Sequence, residues 1–102
     1  MRFQRLKKSK NTTNKAINDP FTARYPRIDI HGETTKTCIA VIESFIKDNI
    51  KLKEKNAIII HGKGTGMLKK ATHNYLKNHP KIANYYIDGM NDGQTIIEIK
   101  LK

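Results

Sequence analysis

The sequence predicts a two-layer α/β sandwich of order βαβαββ, with a mixed four-stranded sheet and two helices. Two segments at residues 27–32 and 57–60 have strand character, and each is followed by a stretch of helical periodicity. Two alternating segments near the end of the chain are separated by a glycine-bounded turn. Because a strand–helix–strand unit makes its strands parallel with a right-handed crossover, while a hairpin adds antiparallel strands, the sheet is expected to be mixed.

Length and charge narrow the function classes. A chain of 102 residues is one domain with a modest core. The net charge of +11 favours a polyanionic partner over neutral metabolites. One cysteine, Cys38, excludes an internal disulfide and a CxxC-type zinc site. We expect a cytoplasmic monomer without membrane association, since no apolar run approaches the roughly 18 residues of a membrane span and the basic N-terminus lacks an apolar signal region.

The charge is concentrated at the N-terminus. Residues 1–27 carry eight Lys or Arg and one acid, Asp19, a net charge of +7. Residues 1–19 are also rich in Asn and Thr and poor in apolar side chains, so we expect a flexible basic arm that lies along nucleic acid or serves only as a solubilising tail. The folded domain is expected to span residues 20–102, beginning with an extended segment to Pro26.

The first strand and helix place an acid and a histidine together. Alternation sends Ile28 and Ile30 to one face of the strand and Asp29 and His31 to the other. Thr34 or Thr35 is expected to cap the helix that follows. The apolar stripe that predicts this helix consists of Cys38, Ile39, Ile42, Phe45, Ile46 and Ile50.

The second strand, residues 57–60, leads into three glycines at alternate positions and then a helix. Such a segment binds anions, because glycine lets the backbone approach closely and the first N–H groups of the helix are free. The spacing matches neither G-x-x-x-x-G-K-[ST] nor G-x-G-x-x-G, which disfavours ATP and NAD. The alternative is a glycine-rich turn that binds no ligand. The predicted phosphate-binding residues are Gly62, Lys63, Gly64, Thr65, Gly66, Lys69 and Lys70.

The remaining elements complete the sandwich. The second helix is expected at residues 66–78, with Leu68, Ala71, Tyr75 and Leu76 facing inward. We interpret His73 and His79 as surface residues. Two further strands at residues 83–88 and 94–101 form a hairpin across a turn at residues 89–93.

The two polar motifs are expected to meet, because ligands bind outside the carboxyl ends of parallel strands. Asp29, His31 and His61 are therefore the predicted catalytic residues, with His31 as general base or acid, Asp29 as its orienting partner and His61 as the less certain third member. With RNA, a base could activate the 2′-hydroxyl against the neighbouring phosphate without a metal. The alternative is that Asp29 and His31 only stabilise the strand end. No metal site is predicted, and no cofactor is required, although DNA nicking would bring in Mg²⁺.

Residues 28–32 read I-D-I-H-G and residues 59–68 read I-I-H-G-K-G-T-G-M-L. They resemble the two hallmark motifs of the Smr (small MutS-related) domain family, and the resemblance extends from about residue 27 to residue 100. It implies a βαβαββ sandwich similar to the C-terminal domain of bacterial initiation factor three. It also implies nucleic-acid binding and, in many members, endonuclease activity, with the Asp-x-His of the first motif associated with cleavage. Some relatives nick DNA and others cleave messenger RNA on ribosomes, so RNA, DNA and the ribosome are the implied partners.

Three function classes follow. The first is a stand-alone endonuclease, with RNA slightly preferred over DNA because the histidine chemistry needs no metal. The second is a non-catalytic module that binds an RNA or DNA backbone at the same residues. The third is a small-anion or nucleotide enzyme, which the missing Walker residues disfavour. The intact pair Asp29–His31 favours the enzyme, because backbone binding needs lysines and glycines but no titrating histidine.

Overall fold

The computed structural model describes residues 22–101. The predicted basic arm at residues 1–19 lies outside the described residues. The described part begins with a short 3-10 turn at Thr22–Arg24, so the expected extended conformation up to Pro26 is wrong for these three residues. Within the described part, no helix is long and apolar enough to cross a membrane.

The predicted βαβαββ order is confirmed. The elements are β1 (Arg27–Asp29), α1 (Thr37–Lys51), β2 (Asn56–Ile60), α2 (Met67–Lys77), β3 (Ile82–Asp88) and β4 (Asn91–Ile99). They form one four-stranded sheet in the order β1-β2-β4-β3. The pair β1–β2 is parallel, whereas β2–β4 and β3–β4 are antiparallel, so the sheet is mixed as expected.

The first strand is shorter than the alternating pattern suggested. β1 ends at Asp29, although the Ile30 N–H still donates to the Ile60 carbonyl at 2.8 Å. The chain then turns, and α1 begins at Thr37. The residue directly before α1 is Lys36, whose side chain makes no capping bond, so neither Thr34 nor Thr35 takes that position. The Thr34 hydroxyl nevertheless accepts the Thr37 N–H at 2.9 Å, the kind of bond that a capping side chain makes.

The hairpin turn is tighter than predicted. β4 begins at Asn91 rather than at residue 94, which leaves only Gly89 and Met90 between the strands. A carboxylate fixes this turn, since Asp88 Oδ1 accepts the Met90 N–H at 2.8 Å. Asp88 Oδ2 in turn accepts a hydrogen bond from the Gln94 amide at 2.7 Å. The consequence is that the first residues of β4 are held at a defined position.

Both helices cover one face of the sheet, and the core lies between the two layers. The predicted apolar stripe of α1 faces this core, as does the inner side of α2. Burying these side chains supplies most of the stabilisation, at roughly 25 cal/mol per Å² of apolar surface. The fully or nearly fully buried members are Ile28, Ile30, Cys38, Ile42, Phe45, Ile46, Ala57, Ile59, Leu76, Ile82, Ile97 and Ile99.

A polar group joins the two helices at the far end of α2. Glu43 of α1 accepts hydrogen bonds from the Tyr75 hydroxyl and from His79 Nε2, the latter at 2.8 Å. These bonds hold the pKa of Glu43 below its ordinary value, and burial together with Glu43 raises that of Tyr75. The His79 side chain is only 8% exposed, so its assignment as a surface residue is wrong. The residue was misassigned because its tertiary partner lies 36 positions away.

Candidate functional site

Three segments meet at one edge of the sheet, which we call the site edge. β1 and β2 run parallel and end there, at Asp29 and Ile60. Because β4 is antiparallel to β2, its first residues lie at the same edge, with Gln94 paired to Ile60. The prediction that the two motifs would meet is confirmed, and the start of β4 joins them.

An aspartate–histidine pair follows β1. Asp29 Oδ1 lies 2.6 Å from His31 Nδ1 and also accepts the His31 backbone N–H at 3.0 Å. A carboxylate only accepts hydrogen bonds, so Nδ1 carries the proton in the neutral ring and Nε2 is left as a free acceptor. The His31 side chain is 69% exposed. The pair therefore presents a basic nitrogen to solvent in a fixed tautomer.

The electrostatics of this pair favour the protonated ring. The hydrogen bond to Asp29, together with the negative charge of the same carboxylate, raises the pKa of His31 above its ordinary value of 6.5. His31 therefore stays protonated to a higher pH than a free histidine does. A histidine paired in this way can act as a general acid or as a general base.

The glycine loop (residues 62–66) connects β2 to α2. Gly62 and Gly66 have φ angles of +85° and +87°, the left-handed region in which side chains other than glycine are strained. Gly66 directly precedes α2, and no side chain caps the helix there. The Thr65 hydroxyl accepts the Met67 N–H at 3.2 Å. The loop thus delivers the chain to a helix N-terminus, which favours anions.

His31 of the pair and the glycine loop line one pocket of about 280 Å³. A Cβ atom on Gly62 would stand 3.5 Å from His31 Cβ, which shows how closely the two segments approach. Of the predicted phosphate-binding residues, only Lys70 is not among the lining residues. The pocket is lined by His31, Gly32, His61, Gly62, Lys63, Gly64, Thr65, Gly66, Leu68 and Lys69.

The β3–β4 hairpin closes one side of this loop. The N–H groups of His61 and Gly62 both donate to the Gly93 carbonyl, at 2.9 and 2.8 Å. A Cβ atom on Gly93 would lie 3.1 Å from Lys63 Cγ and 3.4 Å from the Gly62 carbonyl carbon, so only glycine fits without a shift. Lys63 Nζ lies 3.5 Å from Asp92 Oδ1, both side chains being exposed. Asp92 and Gly93 were not predicted as site residues.

His61 lies in a different environment from His31. It is buried, its Nδ1 lies 3.2 Å from the Gly62 carbonyl and its Nε2 lies 2.8 Å from the Thr95 hydroxyl. Burial, more than the positive charge of Lys69, lowers the pKa of His61 below 6.5. The structure thus brings the three predicted catalytic residues to one edge, but both ring nitrogens of His61 are bonded within the protein.

A third histidine belongs to this edge, and sequence reasoning missed it. His73 Nε2 lies 2.8 Å from the same Thr95 hydroxyl, and its ring packs edge-on against Tyr85. Burial lowers its pKa too, so its assignment as a plain surface residue is wrong. One signal was available: His73 follows Lys69 by four positions, which places both on the same face of α2.

Metal ligands are sparse here. Among residues 22–101, no group of three or more His, Cys, Asp or Glu side chains is arranged to hold a metal ion. The groups available at the site edge are instead a paired histidine, lysine ammonium groups and backbone N–H groups of a glycine loop. Such a set can bind a phosphate and move a proton next to it.

The chain is similar to a known protein family over most of its length. A family model described as the Smr domain matches residues 28–100. Endonuclease MutS2 of Caldicellulosiruptor bescii is 35% identical over 77 residues, which are 72% of this chain and 10% of that protein. Endonuclease MutS2 of Caldicellulosiruptor saccharolyticus is 33% identical over 98 residues, which are 92% of this chain and 12% of that protein. The chain therefore spans about a tenth of the length of the curated relatives it matches.

Two solved structures share the fold. The crystal structure of the Smr domain of Thermus thermophilus MutS2 superposes with a TM-score of 0.71 at 19% identity, over 72% of this chain and 96% of that one. The stand-alone small MutS-related protein YdaL from Escherichia coli superposes with a TM-score of 0.68 at 17% identity, over 72% of this chain and 63% of that one. At these identities the likeness concerns the fold alone.

Proposed function

The chain belongs to the Smr domain family, and we propose that it is a nucleic-acid-binding endonuclease that cleaves phosphodiester bonds, with RNA preferred over DNA. The observation that carries this proposal is the Asp29–His31 pair. Its 2.6 Å contact leaves Nε2 available as a base, and His31 lines the same pocket as the glycine loop. The relatives named as endonucleases, of which this chain matches about a tenth, support the same activity.

In the proposed reaction, the glycine loop holds one phosphate of the substrate. Backbone N–H groups at the start of α2, with the side chains of Lys63 and Lys69 at the pocket, balance the charge that develops on the phosphorane. Lys63 is 69% exposed, so it reaches solvent-borne phosphate while its partner Asp92 remains at the hairpin.

Proton transfer is assigned to His31. Neutral His31 takes the proton of the ribose 2′-hydroxyl on Nε2, and O2′ then bonds to phosphorus while the P–O5′ bond breaks. O5′ takes a proton from solvent, and the products are a 2′,3′-cyclic phosphate and a 5′-hydroxyl end. Asp29 stabilises the imidazolium that forms. Since DNA lacks the 2′-hydroxyl, this route acts on RNA and requires no metal or other cofactor.

His61 is less suited than His31 to direct catalysis. Its ring contacts substrate only if it gives up the bond to Thr95 or the bond to the Gly62 carbonyl. We propose that its main role is to shape the glycine loop. A direct catalytic role for His61 stays a prediction, as does recruitment of the protein to messenger RNA on ribosomes.

A cleavage assay tests the proposal. Wild type and His31→Ala are incubated with end-labelled single-stranded RNA and with supercoiled DNA, each in Mg²⁺ and in EDTA. We expect RNA cleavage that is unaffected by EDTA and falls by ~10²–10⁴-fold in the variant. A substrate with 2′-deoxyribose at the cleaved position should be resistant, and the cut ends should carry a cyclic phosphate. DNA nicking that requires Mg²⁺ would contradict the RNA route and favour Asp29 as a metal ligand.

His79→Ala is the matched control for that assay. His79 lies beside Glu43 and Tyr75 on the helical layer, so its loss removes a buried histidine without touching the site edge. This variant should cleave RNA as wild type does. If His31→Ala and His79→Ala lose cleavage equally, the loss in His31→Ala comes from folding and the proposed base is wrong.

The second candidate function is backbone binding without cleavage, because the pocket offers lysines and glycines whether or not His31 titrates. Lys63→Ala with Lys69→Ala should weaken binding of any sequence about tenfold at low salt and lower the salt slope by up to ~2. Lys77→Ala with Lys81→Ala, which removes the same charge away from the site edge, is the control. Binding that depends on the first pair, with no cleavage of RNA or DNA, would make the protein a binding module.

A further inference from the structure

We infer that His73 and Thr95 are positioning residues for the glycine loop, acting through His61 to fix the segment that the proposed function assigns to phosphate binding. The observation is a continuous chain of hydrogen bonds from α2 through β4 to the loop. His73 Nε2 and His61 Nε2 each lie 2.8 Å from Thr95 Oγ1, and His61 Nδ1 lies 3.2 Å from the Gly62 carbonyl oxygen.

Donor and acceptor chemistry permits only one assignment of donors and acceptors along this series of hydrogen bonds. The Gly62 carbonyl can only accept, so His61 carries its proton on Nδ1. In a neutral ring, His61 Nε2 is then a bare acceptor that takes the Thr95 hydroxyl proton. Thr95 has no second proton, so His73 Nε2–H donates to Thr95 Oγ1. The two histidines are thereby assigned opposite tautomers.

The assignment requires both rings to be neutral, and their surroundings favour that. Burial lowers the pKa of each ring, and the two rings stand 6.1 Å apart between centroids. Lys69 on α2 disfavours the charged form of both rings. Asp92 on β4 opposes this at His61 only, and Tyr85 on β3 offers His73 a ring edge.

The chain of bonds ties together the two ends of the loop. His61 lies directly before the loop, while His73 lies on the helix that follows it. Thr95 is fully buried on β4, one of the two central strands, so it gives both histidines a fixed partner. The Gly93 carbonyl adds a second anchor by accepting the N–H groups of His61 and Gly62. Together these bonds set the distance between the strand end and the helix start, which determines the shape of the loop.

Histidine side-chain nitrogen NMR on the full chain at pH 7.5 tests the tautomers directly. Wild type should show His61 as the Nδ1–H form and His73 as the Nε2–H form. Thr95→Ser, which keeps the hydroxyl, should retain both signatures. Thr95→Val, which keeps the shape but not the hydroxyl, should keep His61 as Nδ1–H, because the Gly62 carbonyl still accepts that proton, but should lose the pure Nε2–H signature of His73. Observation of His61 as Nε2–H in wild type, or of either ring protonated on both nitrogens, would overturn the assignment.

The positioning role has its own readout that does not require nucleic acid. Hydrogen exchange of the Gly62 amide should be ~2–10-fold faster in Thr95→Val and in His73→Phe than in wild type, the effect of one lost hydrogen bond, and unchanged in Thr95→Ser. Exchange in Thr95→Val and His73→Phe that equals wild type would overturn the positioning role, as would equal acceleration in Thr95→Ser.

Phosphate-backbone affinity separates this inference from the proposed function. With a single-stranded RNA probe, Thr95→Val should bind ~2–10-fold more weakly than Thr95→Ser at the same salt concentration. If wild type binds neither RNA nor DNA, the proposed function fails, while the tautomer and exchange measurements still decide the inference. If Thr95→Val alters the tautomer and the exchange but not the affinity, the loop shape does not control binding and that part of the inference is wrong.

Discussion

Two groups of histidines at the site edge have opposite properties. His31 is exposed, bonded to one carboxylate and free on one nitrogen, and its pKa is raised. His61 is buried and His73 half-buried; both are bonded to Thr95, and their pKa values are lowered. One residue type therefore serves two purposes at one edge of the sheet. Solvent and a carboxylate make a histidine available for proton transfer, whereas burial and neutral partners turn it into a fixed part of the scaffold.

The charge of Asp29 distinguishes the exposed pair most sharply. Asp29→Asn keeps an oxygen acceptor near His31 Nδ1 but removes the charge that raises the ring's pKa. Cleavage should fall by ~10–100-fold, less than the ~10²–10⁴-fold expected on losing the base itself. The acidic limb of the rate profile, where a protonated ring is inactive, should move to lower pH. The measurement is single-turnover RNA cleavage between pH 5 and 8.

Glu33→Gln is the control for that profile, because Glu33 is an exposed acid in the same connection and its carboxylate accepts a hydrogen bond from the Thr37 hydroxyl. Its pH profile should match that of wild type. A rate profile of Asp29→Asn that keeps the wild-type midpoint would show that the rate does not follow the titration of His31.

The effects on stability should be the reverse of those on cleavage: loss of His61 should destabilise the fold more than loss of His31. His61→Ala removes the bonds to Thr95 and Gly62 and leaves a buried hydroxyl without that partner, so the free energy of unfolding should fall by ~1–3 kcal/mol. His31→Ala changes an exposed side chain and should stay within ~0.5 kcal/mol of wild type. Urea unfolding at pH 7.5 measures both. An equal loss of unfolding free energy in the two variants would contradict the proposed difference between the exposed and the buried histidine.

Two opposing contributions are expected in the pH dependence of the free energy of unfolding. In the folded protein the pKa values of His61 and His73 lie below the ordinary histidine value of 6.5. As the pH drops below about 6.5, these histidines are therefore protonated more readily in the unfolded chain, and the free energy of unfolding falls. The raised pKa of His31 acts oppositely, adding stability below 6.5 that is lost as the pH rises through the folded value. Solvent screening makes the His31 effect the smaller one.

Melting temperatures at pH 7.5 and 5.5 check these signs. Wild type should be less stable at pH 5.5, His31→Ala should lose more than wild type does, and His73→Phe should lose less. A His31→Ala variant that gains stability on acidification would contradict the assigned environments of the buried rings.

The smallest expected effect concerns Asp92, which interacts with Lys63 and with the charge of His61. Its carboxylate pairs with Lys63 at 3.5 Å and also favours the charged form of His61. Asp92→Asn should release Lys63 and tighten RNA binding about twofold, since an exposed pair contributes ~0–1 kcal/mol. Glu98→Gln, at the far end of β4, removes the same charge away from the site edge and is the control. An equal gain in RNA affinity in both variants would show that the net charge, and not the release of Lys63, causes the effect.

Much of the fold could be predicted because its signals are local. The apolar stripe of α1 and the alternation around Asp29 follow from backbone period, and the φ angles of Gly62 and Gly66 are those that a glycine loop requires. The contact between Asp29 and His31 was also predictable, since residues two apart on an extended segment share a face. Strand ends were less accurate, because side-chain bonds such as that of Asp88 to the Met90 N–H extended the hairpin.

The βαβαββ order, the Asp29–His31 pair and the glycine loop can be derived from local sequence, because each depends on residues that are near one another in the chain. The strand order β1-β2-β4-β3, which inserts β4 between β2 and β3, arises only when the chain folds. That insertion brings Thr95 next to His61, 34 residues away, and next to His73, 22 residues away. No local pattern encodes such separations, since the bonds exist only once the sheet is assembled and water is excluded from it.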